Sequence, residues 1–207
     1  MKKIIAIILN SALIITETYA LFLVIKENGL MCFKFYTDLS NFLALFSSVV
    51  YVINSITSNK ISNFTKYLKL FAVTNLSVTF FVVIFILAPV SGTMAIWFML
   101  FFDSMFFHHL FCPVLSIVSF LFFETDITLL KSDIFVSIIP TLIYAGIILA
   151  LNLAKIIVGP YKFFLVFEQP YFITILYFII ILLLILTLSS IFFLIKKRQP
   201  KPSLNKS

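Results

Sequence analysis

Charged residues are scarce in this chain of 207 residues: Asp, Glu, Lys and Arg together make up 11% of it, whereas 62% is hydrophobic. Soluble domains are typically about one quarter charged and about half apolar. The shortage of charge therefore excludes an ordinary soluble domain. Together with a length of about one domain, it indicates a polytopic membrane protein.

Cysteine is almost absent, since the chain holds only Cys32 and Cys112, and this excludes a disulfide framework. We expect both cysteines to be small buried side chains. There is no phosphate-binding loop, no H-E-x-x-H and no G-x-S-x-G, so the common catalytic signatures are missing too. The sequence calls for no cofactor.

The net charge of +7 does not indicate nucleic acid, because no basic face alternates with exposed aromatic residues. A metal site is not predicted either. His108 and His109 are the only histidines, and neighbours on a helix point about 100° apart, so both cannot easily bind one ion.

Six apolar segments reach the ~20 residues that a helix needs to cross ~30 Å of hydrocarbon. Their apolar character is continuous rather than alternating, which excludes a closed barrel. The segments cover residues 4–25, 39–58, 70–88, 96–123, 134–154 and 171–195. The predicted fold is all-α, a bundle of six transmembrane helices in one domain over 1–195, followed by a basic tail over 196–207.

The first segment resembles a signal peptide, with a small-residue site near Ala20, but its apolar character continues to Ile25. We therefore expect a retained helix in which Glu17 faces the bundle. An even number of spans puts both termini on one side. Placing them inside the cell assigns eleven Lys and Arg to the inner side and four to the outer, so the positive-inside rule predicts a multi-pass cell-membrane protein with both termini cytoplasmic. The outer residues are Lys26, Lys34, Lys155 and Lys162.

Three ionisable groups interrupt the fourth segment: Asp103, His108 and His109. Each such group costs several kcal/mol inside a membrane unless it is compensated, so a functional site and a pair of interhelical hydrogen bonds are equally plausible explanations. Pro113 follows His109 by one helical turn on the same side. A kink at this proline would free backbone carbonyls and leave room for a substrate or water.

A second polar group stands where the second segment begins. Thr37, Ser40 and Asn41 follow one another at i, i+3 and i+4, so they share neighbouring faces of a helix, and Asp38 favours the helix dipole. The alternative interpretation is a helix start with aromatic anchors and interhelical hydrogen bonds. The aromatic fifth loop, residues 159–170, is expected to cap the bundle at its outer face.

At these positions the chain resembles the Pr6Pr family of bacterial six-span membrane proteins. Four short motifs carry the resemblance, in order, over about two-thirds of the chain. They are the run from Phe33 to Asn41, Val78-Thr79 with Leu87-Ala88-Pro89, His109 with Pro113 and Phe122-Phe123-Glu124, and Tyr161 with Phe163-Phe164-Leu165.

That family is similar to the eukaryotic group of androgen-induced protein 1 and androgen-dependent TFPI-regulating protein, which are intramembrane hydrolases of fatty acid esters of hydroxy fatty acids. The resemblance implies a threonine nucleophile at Thr37 and a histidine base at His109. The spacing between histidine and proline in the eukaryotic proteins would select His108 as the base instead. Partners would be membrane lipids and a hydrophobic ester substrate. We expect Ser40, Asn41 and Asp103 to contact the substrate, one of the first two as oxyanion donor.

Depth decides whether the threonine and the histidine can meet, because His109 is expected near the bilayer midplane. A second helix that begins near Leu30 would place Thr37 about 10 Å deep, at 1.5 Å per residue. One that begins at Leu39 would leave it too shallow. The competing class is a non-enzymatic membrane protein, either a proton-linked carrier that uses Asp103 and the histidines as a relay or an accessory subunit.

Overall fold

The computed structural model describes residues 1–92 and 94–199, apart from the side chain of Val90. It is 81% helical, with no strand in the described residues. The predicted all-α fold and its six membrane-length apolar helices are confirmed. The elements are α1 (Lys2–Asn28), α2 (Tyr36–Thr57), α3 (Asn63–Leu87), short α4 (Ala95–Phe101), α5 (Asp103–Phe123), α6 (Asp133–Leu153) and α7 (Tyr171–Lys197).

The core of the bundle is made by α1, α2, α3 and α5, which pack against one another in a ring. The most buried of the six long helices is α3, and the least buried are α6 and α7. These two helices lie at the edge, and their exposed side chains are almost all apolar. Such surfaces are stable against lipid tails, and the polar groups of the chain are gathered in the ring.

The fourth segment does not form the single predicted helix over 96–123. Phe102 is extended and Asp103 has φ +44°, so the chain breaks between α4 and α5. Asp103 therefore lies exposed at the start of α5, and the prediction that it interrupts one helix over 96–123 is wrong. The short polar side chain of Asp tolerates the left-handed region, while the apolar run gives no sign of a break.

Three π turns interrupt the long helices: Val83–Leu87 in α3, and Phe107–Phe111 and Ser119–Phe123 in α5. The first two lie just before Pro89 and Pro113, which lack the N–H that an α-helical hydrogen bond needs. The predicted disturbance at Pro113 thus takes the form of a π turn. π turns are frequent at functional sites, and this one carries both histidines.

A buried polar cluster joins α1, α3 and α5 near one end of the bundle. Lys69 Nζ lies 3.2 Å from Glu124 Oε1 and donates to Asn10 Oδ1 at 2.7 Å. Asn10 Nδ2 and Ser119 Oγ each donate to the same carboxylate oxygen at 2.8 Å. We call Asn10, Lys69, Ser119 and Glu124 the lower cluster.

Two lysines assigned by sequence to the inner loops and tail are in fact buried. Lys69 belongs to the lower cluster, and Lys196 Nζ donates to the Glu124 carbonyl oxygen at 2.6 Å. Helix α7 continues to Lys197, past the predicted tail boundary at 196. Hydropathy could not reveal this burial, because the partner that compensates both charges is distant in sequence. Residues 200–207 of the predicted tail lie outside the described residues.

The N-terminus and the C-terminal end of α7 lie at the same end of the bundle as the lower cluster. Lys3 Nζ donates to the Ser58 carbonyl oxygen after α2, and Lys196 reaches Glu124 after α5. Cys32 and Cys112 are buried and unbonded to each other, and Glu17 faces the bundle interior, as expected.

Candidate functional site

The larger of two adjoining cavities, about 450 Å³, lies at the end of the bundle opposite the lower cluster. It is lined by the ends of α1, α2, α3, α4 and α5, by the loop after α6 and by Tyr177 of α7. Its polar lining includes Thr37, Asp38, His108, His109 and Tyr161. Its volume is typical of small-molecule sites. The predicted nucleophile and both candidate bases therefore share one cavity.

The second cavity is narrow, about 50 Å³, and lies between α2, α3, α6 and α7. Apart from a few hydroxyl groups, its lining is apolar, with Val82, Ala145 and Phe178 among its members. Thr37 and Tyr161 line both cavities. Thr37 consequently stands at the junction of a roomy, partly polar space and a small apolar one.

The backbone of Thr37 is fixed on both sides at the start of α2. The N–H groups of Tyr36 and Thr37 donate to the Tyr161 hydroxyl at 3.0 and 3.4 Å. This satisfies donors that the first turn of a helix leaves unpaired. The Thr37 carbonyl oxygen accepts from Ser40 Oγ and Asn41 Nδ2, each at 2.8 Å. These bonds leave the half-buried Thr37 side chain at the cavity wall.

Ser40, Asn41 and Asp103 do not line either of these two cavities, although we expected them to contact the substrate. Ser40 Oγ turns back to the Thr37 carbonyl and pairs with Thr79 Oγ1 at 2.9 Å. Asn41 Nδ2 also lies 3.4 Å from the His108 carbonyl oxygen. Side chains of this kind readily bond to local carbonyls, so the i, i+3, i+4 pattern that suggested a site serves here to hold the backbone of Thr37.

His109 is buried and is positioned by α4. Its Nδ1 lies 2.7 Å from the Met99 carbonyl oxygen, which can only accept a hydrogen bond. In the neutral ring, Nδ1 must then carry the proton, so the lone pair is on Nε2. That nitrogen makes no hydrogen bond with the described residues, and the ring lines the larger cavity. His109 is thus arranged to accept a proton.

The neighbouring His108 has both ring nitrogens facing carboxylates. Nδ1 lies 3.2 Å from Asp38 Oδ1, and Nε2 lies 3.8 Å from Glu17 Oε2. Asp38 therefore contacts His108 and not His109. Neither Glu17 oxygen accepts an N–H or O–H hydrogen bond from the described part of the chain. The sequence placed Glu17 in the bundle but gave no sign of its partner.

The break before α5 changes where His109 lies along its helix. Because this helix begins at Asp103, His109 is six residues from its start, about 9 Å at 1.5 Å per residue. His109 therefore lies nearer the start of its helix than a single helix from 96 would place it. Helix α2 begins at Tyr36, between the two starts considered above. Thr37 and His109 both lie in the first two turns of their helices, at the same end of the bundle.

Tyr161 is a polar residue of this site that sequence reasoning missed, since the fifth loop was predicted only to cap the bundle. Burial raises the pKa of Tyr161 to about 12. The phenol is therefore neutral at physiological pH and retains a proton to donate while its oxygen accepts from the α2 backbone. Its place in the Tyr161, Phe163-Phe164-Leu165 motif was the available signal.

No group of three or more His, Cys, Asp or Glu side chains within residues 1–92 and 94–199 is arranged to hold a metal ion. Comparison of the chain with models of known protein families, with curated proteins and with solved structures gave no match. The resemblance to the Pr6Pr family accordingly stays a prediction from motifs.

Proposed function

We propose that this protein is an intramembrane hydrolase of acyl esters that uses Thr37 as nucleophile and His109 as general base. One observation carries the proposal: Thr37 and His109 line the same cavity, and the hydrogen bond to Met99 leaves the lone pair of His109 on a nitrogen that has no other partner among the described residues. A threonine hydroxyl becomes an effective nucleophile only when a base takes its proton.

In the acylation step, Thr37 Oγ1 attacks the ester carbonyl carbon while its proton passes to His109 Nε2. The tetrahedral intermediate collapses by breaking the bond between the carbonyl carbon and the alcohol oxygen. His109 returns the proton to that oxygen, so the alcohol leaves neutral and the acyl group stays on Thr37.

Deacylation repeats the sequence with water. His109 Nε2 removes a proton from a water molecule, whose oxygen attacks the carbonyl carbon of the acyl-threonine. The bond to Thr37 Oγ1 then breaks, the threonine oxygen recovers a proton from His109, and the carboxylic acid is released. The larger cavity has room for this water beside the histidine.

Tyr161 is the best candidate for stabilising the oxyanion. Its hydroxyl adjoins Thr37, it lines both cavities, and its oxygen already accepts two backbone N–H groups that polarise the O–H bond. This role replaces the one that the sequence suggested for Ser40 or Asn41, whose donor groups are occupied by carbonyl oxygens.

A Pr6Pr-like protein of the cell membrane, with both termini in the cytoplasm, is the setting that we propose. Membrane lipids would surround the apolar edge formed by α6 and α7, and the hydrophobic ester would reach the site from the bilayer. The oligomeric state does not enter the mechanism, since the groups named belong to one chain.

A second candidate function is favoured by His108, whose nitrogens face Glu17 of α1 and Asp38 of α2. Ionisable groups from three helices meeting inside a membrane are typical of proton relays. A proton-linked carrier of this kind would depend on Glu17 and His108. Substitution of Thr37 by alanine would leave it largely intact, whereas hydrolysis would be lost.

The deciding experiment is labelling of the purified, detergent-solubilised protein with a fluorophosphonate probe, comparing wild type, Thr37→Ala and His109→Ala. Thr18→Ala is the matched control, because Thr18 is exposed on α1 and bonds only to its own helix. We expect labelling of wild type and Thr18→Ala and its loss in the other two, at unchanged thermal stability. Labelling that survives Thr37→Ala would overturn the nucleophile, and an unlabelled, folded wild type would favour the carrier.

A further inference from the structure

The narrow cavity beside Thr37 sets a limit on what can occupy it. At ~10–15 Å³ for each water-sized group, a cavity of about 50 Å³ holds roughly three to five non-hydrogen atoms. The larger cavity on the other side of Thr37 is about nine times as roomy, at about 450 Å³. The acyl half and the alcohol half of an ester that reacts at Thr37 therefore have very different amounts of space.

A pair of tyrosines, one from α2 and one from α6, lines the narrow cavity. Tyr36 and Tyr144 meet edge to face with ring centroids 5.1 Å apart. The Tyr36 hydroxyl bonds to Asn75 Oδ1 and lies 2.8 Å from Thr141 Oγ1, and the Tyr144 hydroxyl donates to the Lys34 carbonyl oxygen at 2.8 Å. Each ring is thus held by its own polar group, and we call the pair the tyrosine wall.

Beyond the tyrosine wall lies a third space, an apolar groove of about 580 Å³ on the outer side of α2 and α6. Tyr36 and Tyr144 line both this groove and the narrow cavity. Leu39 and Ile143 line the groove but not the narrow cavity. Tyr36 and Tyr144 thus stand between the narrow cavity and a groove with room for a chain of many methylenes.

We infer that the acyl half of the substrate is short, about two to four carbons, and that the tyrosine wall sets this limit. The inference rests on the hydrolase function proposed above. The bulky half of the ester is then the alcohol, which would occupy the larger cavity. Glu27, Asn28 and Lys162 line that cavity together with apolar side chains, so the alcohol is amphipathic. The substrate class is a short-chain acyl ester of a large amphipathic alcohol.

The alternative orientation places a short alcohol in the narrow cavity and a long acyl chain in the larger one. The polar groups favour the first orientation. The transfer of a hydrocarbon chain from water to apolar surroundings is favourable, and the lining of the narrow cavity is almost entirely apolar. In the larger cavity the same chain would contact Asp38 and two histidines, which are polar.

The test is hydrolysis of p-nitrophenyl esters from acetate to dodecanoate by the purified full-length protein in detergent. Wild type, Tyr144→Ala, Ile143→Ala and Thr37→Ala are compared. We expect wild type to hydrolyse the short esters, from acetate through butyrate, best. For longer esters, kcat/KM should fall about tenfold or more for each methylene that no longer fits. Tyr144→Ala removes one ring of the tyrosine wall and should move the optimum to octanoate or longer. Ile143→Ala alters only the groove and should keep the wild-type preference.

Two failures are distinguishable. A wild-type preference for octanoate or longer, abolished by Thr37→Ala, overturns the short-chain inference but keeps the hydrolase. Absence of Thr37-dependent hydrolysis across the series, in folded protein, overturns the hydrolase and the inference with it. If Tyr144→Ala does not fold, Ala145→Val narrows the same cavity and should reduce butyrate hydrolysis more than acetate hydrolysis. Equal effects on the two esters would overturn the inference.

Discussion

His108 and His109 are adjacent in sequence but differ in the groups that contact their ring nitrogens, and therefore in the chemistry available to each ring. A carbonyl oxygen faces Nδ1 of His109 and leaves its other nitrogen as an acceptor, whereas carboxylates face both nitrogens of His108. The π turn that contains them, Phe107–Phe111, lets both rings be buried although they are neighbours in sequence. Sequence alone left the choice between them open, because neither Met99 nor Glu17 is near the pair in the expected helix geometry.

Tyr161→Phe is the residue-scale prediction. This variant keeps the ring but loses both the acceptor for the α2 backbone and the proposed oxyanion donor. We expect kcat for ester hydrolysis to fall about 100-fold with a smaller change in KM, since the donor acts mainly in the transition state. Tyr19→Phe is the control, because Tyr19 is exposed on α1.

The pKa of Tyr161 determines the pH range over which its hydroxyl can donate to the oxyanion. Since burial raises the pKa of Tyr161 to about 12, the phenol can donate throughout the neutral and mildly alkaline range. Its contribution to rate is present below that pKa and disappears above it, so wild type should show no fall from this group between neutral pH and mild alkali. A Tyr161→Phe enzyme with wild-type kcat would remove Tyr161 from the mechanism.

At the scale of elements, the six long helices were predictable because length and continuous apolarity are local properties. The break at Phe102 was not, since it lies inside an apolar run and depends on Asp103 adopting a positive φ. That break shortens α5, so His109 lies nearer the start of its helix, and it separates α4, whose Met99 carbonyl oxygen contacts the His109 ring. The sequence supplied the residues of the site, but the contacts between α2, α4, α5 and the fifth loop assemble it.

The lower cluster shows the same dependence on distant contacts. Lys69 looked like a loop cation and Glu124 like the end of a motif, yet each compensates the other inside the bundle at 3.2 Å. Asn10 completes the set from α1. Polar groups buried together in this way are stable only when each finds partners, so the cluster fixes how α1, α3 and α5 pack.

Two buried glutamates give a matched prediction at this scale. Glu124→Gln leaves the buried Lys69 without its counter-charge, so we expect a loss of about 3–5 kcal/mol of unfolding free energy. Glu17→Gln removes a carboxylate that accepts no N–H or O–H hydrogen bond from the described residues, so stability should stay the same or rise. Thermal unfolding in detergent measures both.

A second substitution tests whether the lower cluster acts as an ion pair. Adding Lys69→Met to Glu124→Gln removes the orphaned charge, and the double variant should be more stable than Glu124→Gln alone. Equal destabilisation by Glu17→Gln and Glu124→Gln would show that burial depth, and not charge pairing, determines the cost.

For the molecule as a whole, the structure sharpens the argument about orientation. Burial of Lys69 and Lys196 takes both out of the set of cations that can face a membrane surface. Nine of the eleven Lys and Arg that the sequence assigns to the inner side then remain, against four assigned to the outer side. The bias still favours cytoplasmic termini, which would place the site in the outer half of the membrane.

Single-cysteine labelling in intact cells tests this orientation. Lys60→Cys places a thiol at the exposed turn beside the termini, and Val158→Cys places one in the exposed loop beside the candidate site. The native Cys32 and Cys112 are buried, so they give little background. A membrane-impermeant maleimide should label Val158→Cys in intact cells and Lys60→Cys only after permeabilisation. The reverse pattern would put the candidate site on the cytoplasmic side, where its ester substrate would have to come from the inner leaflet.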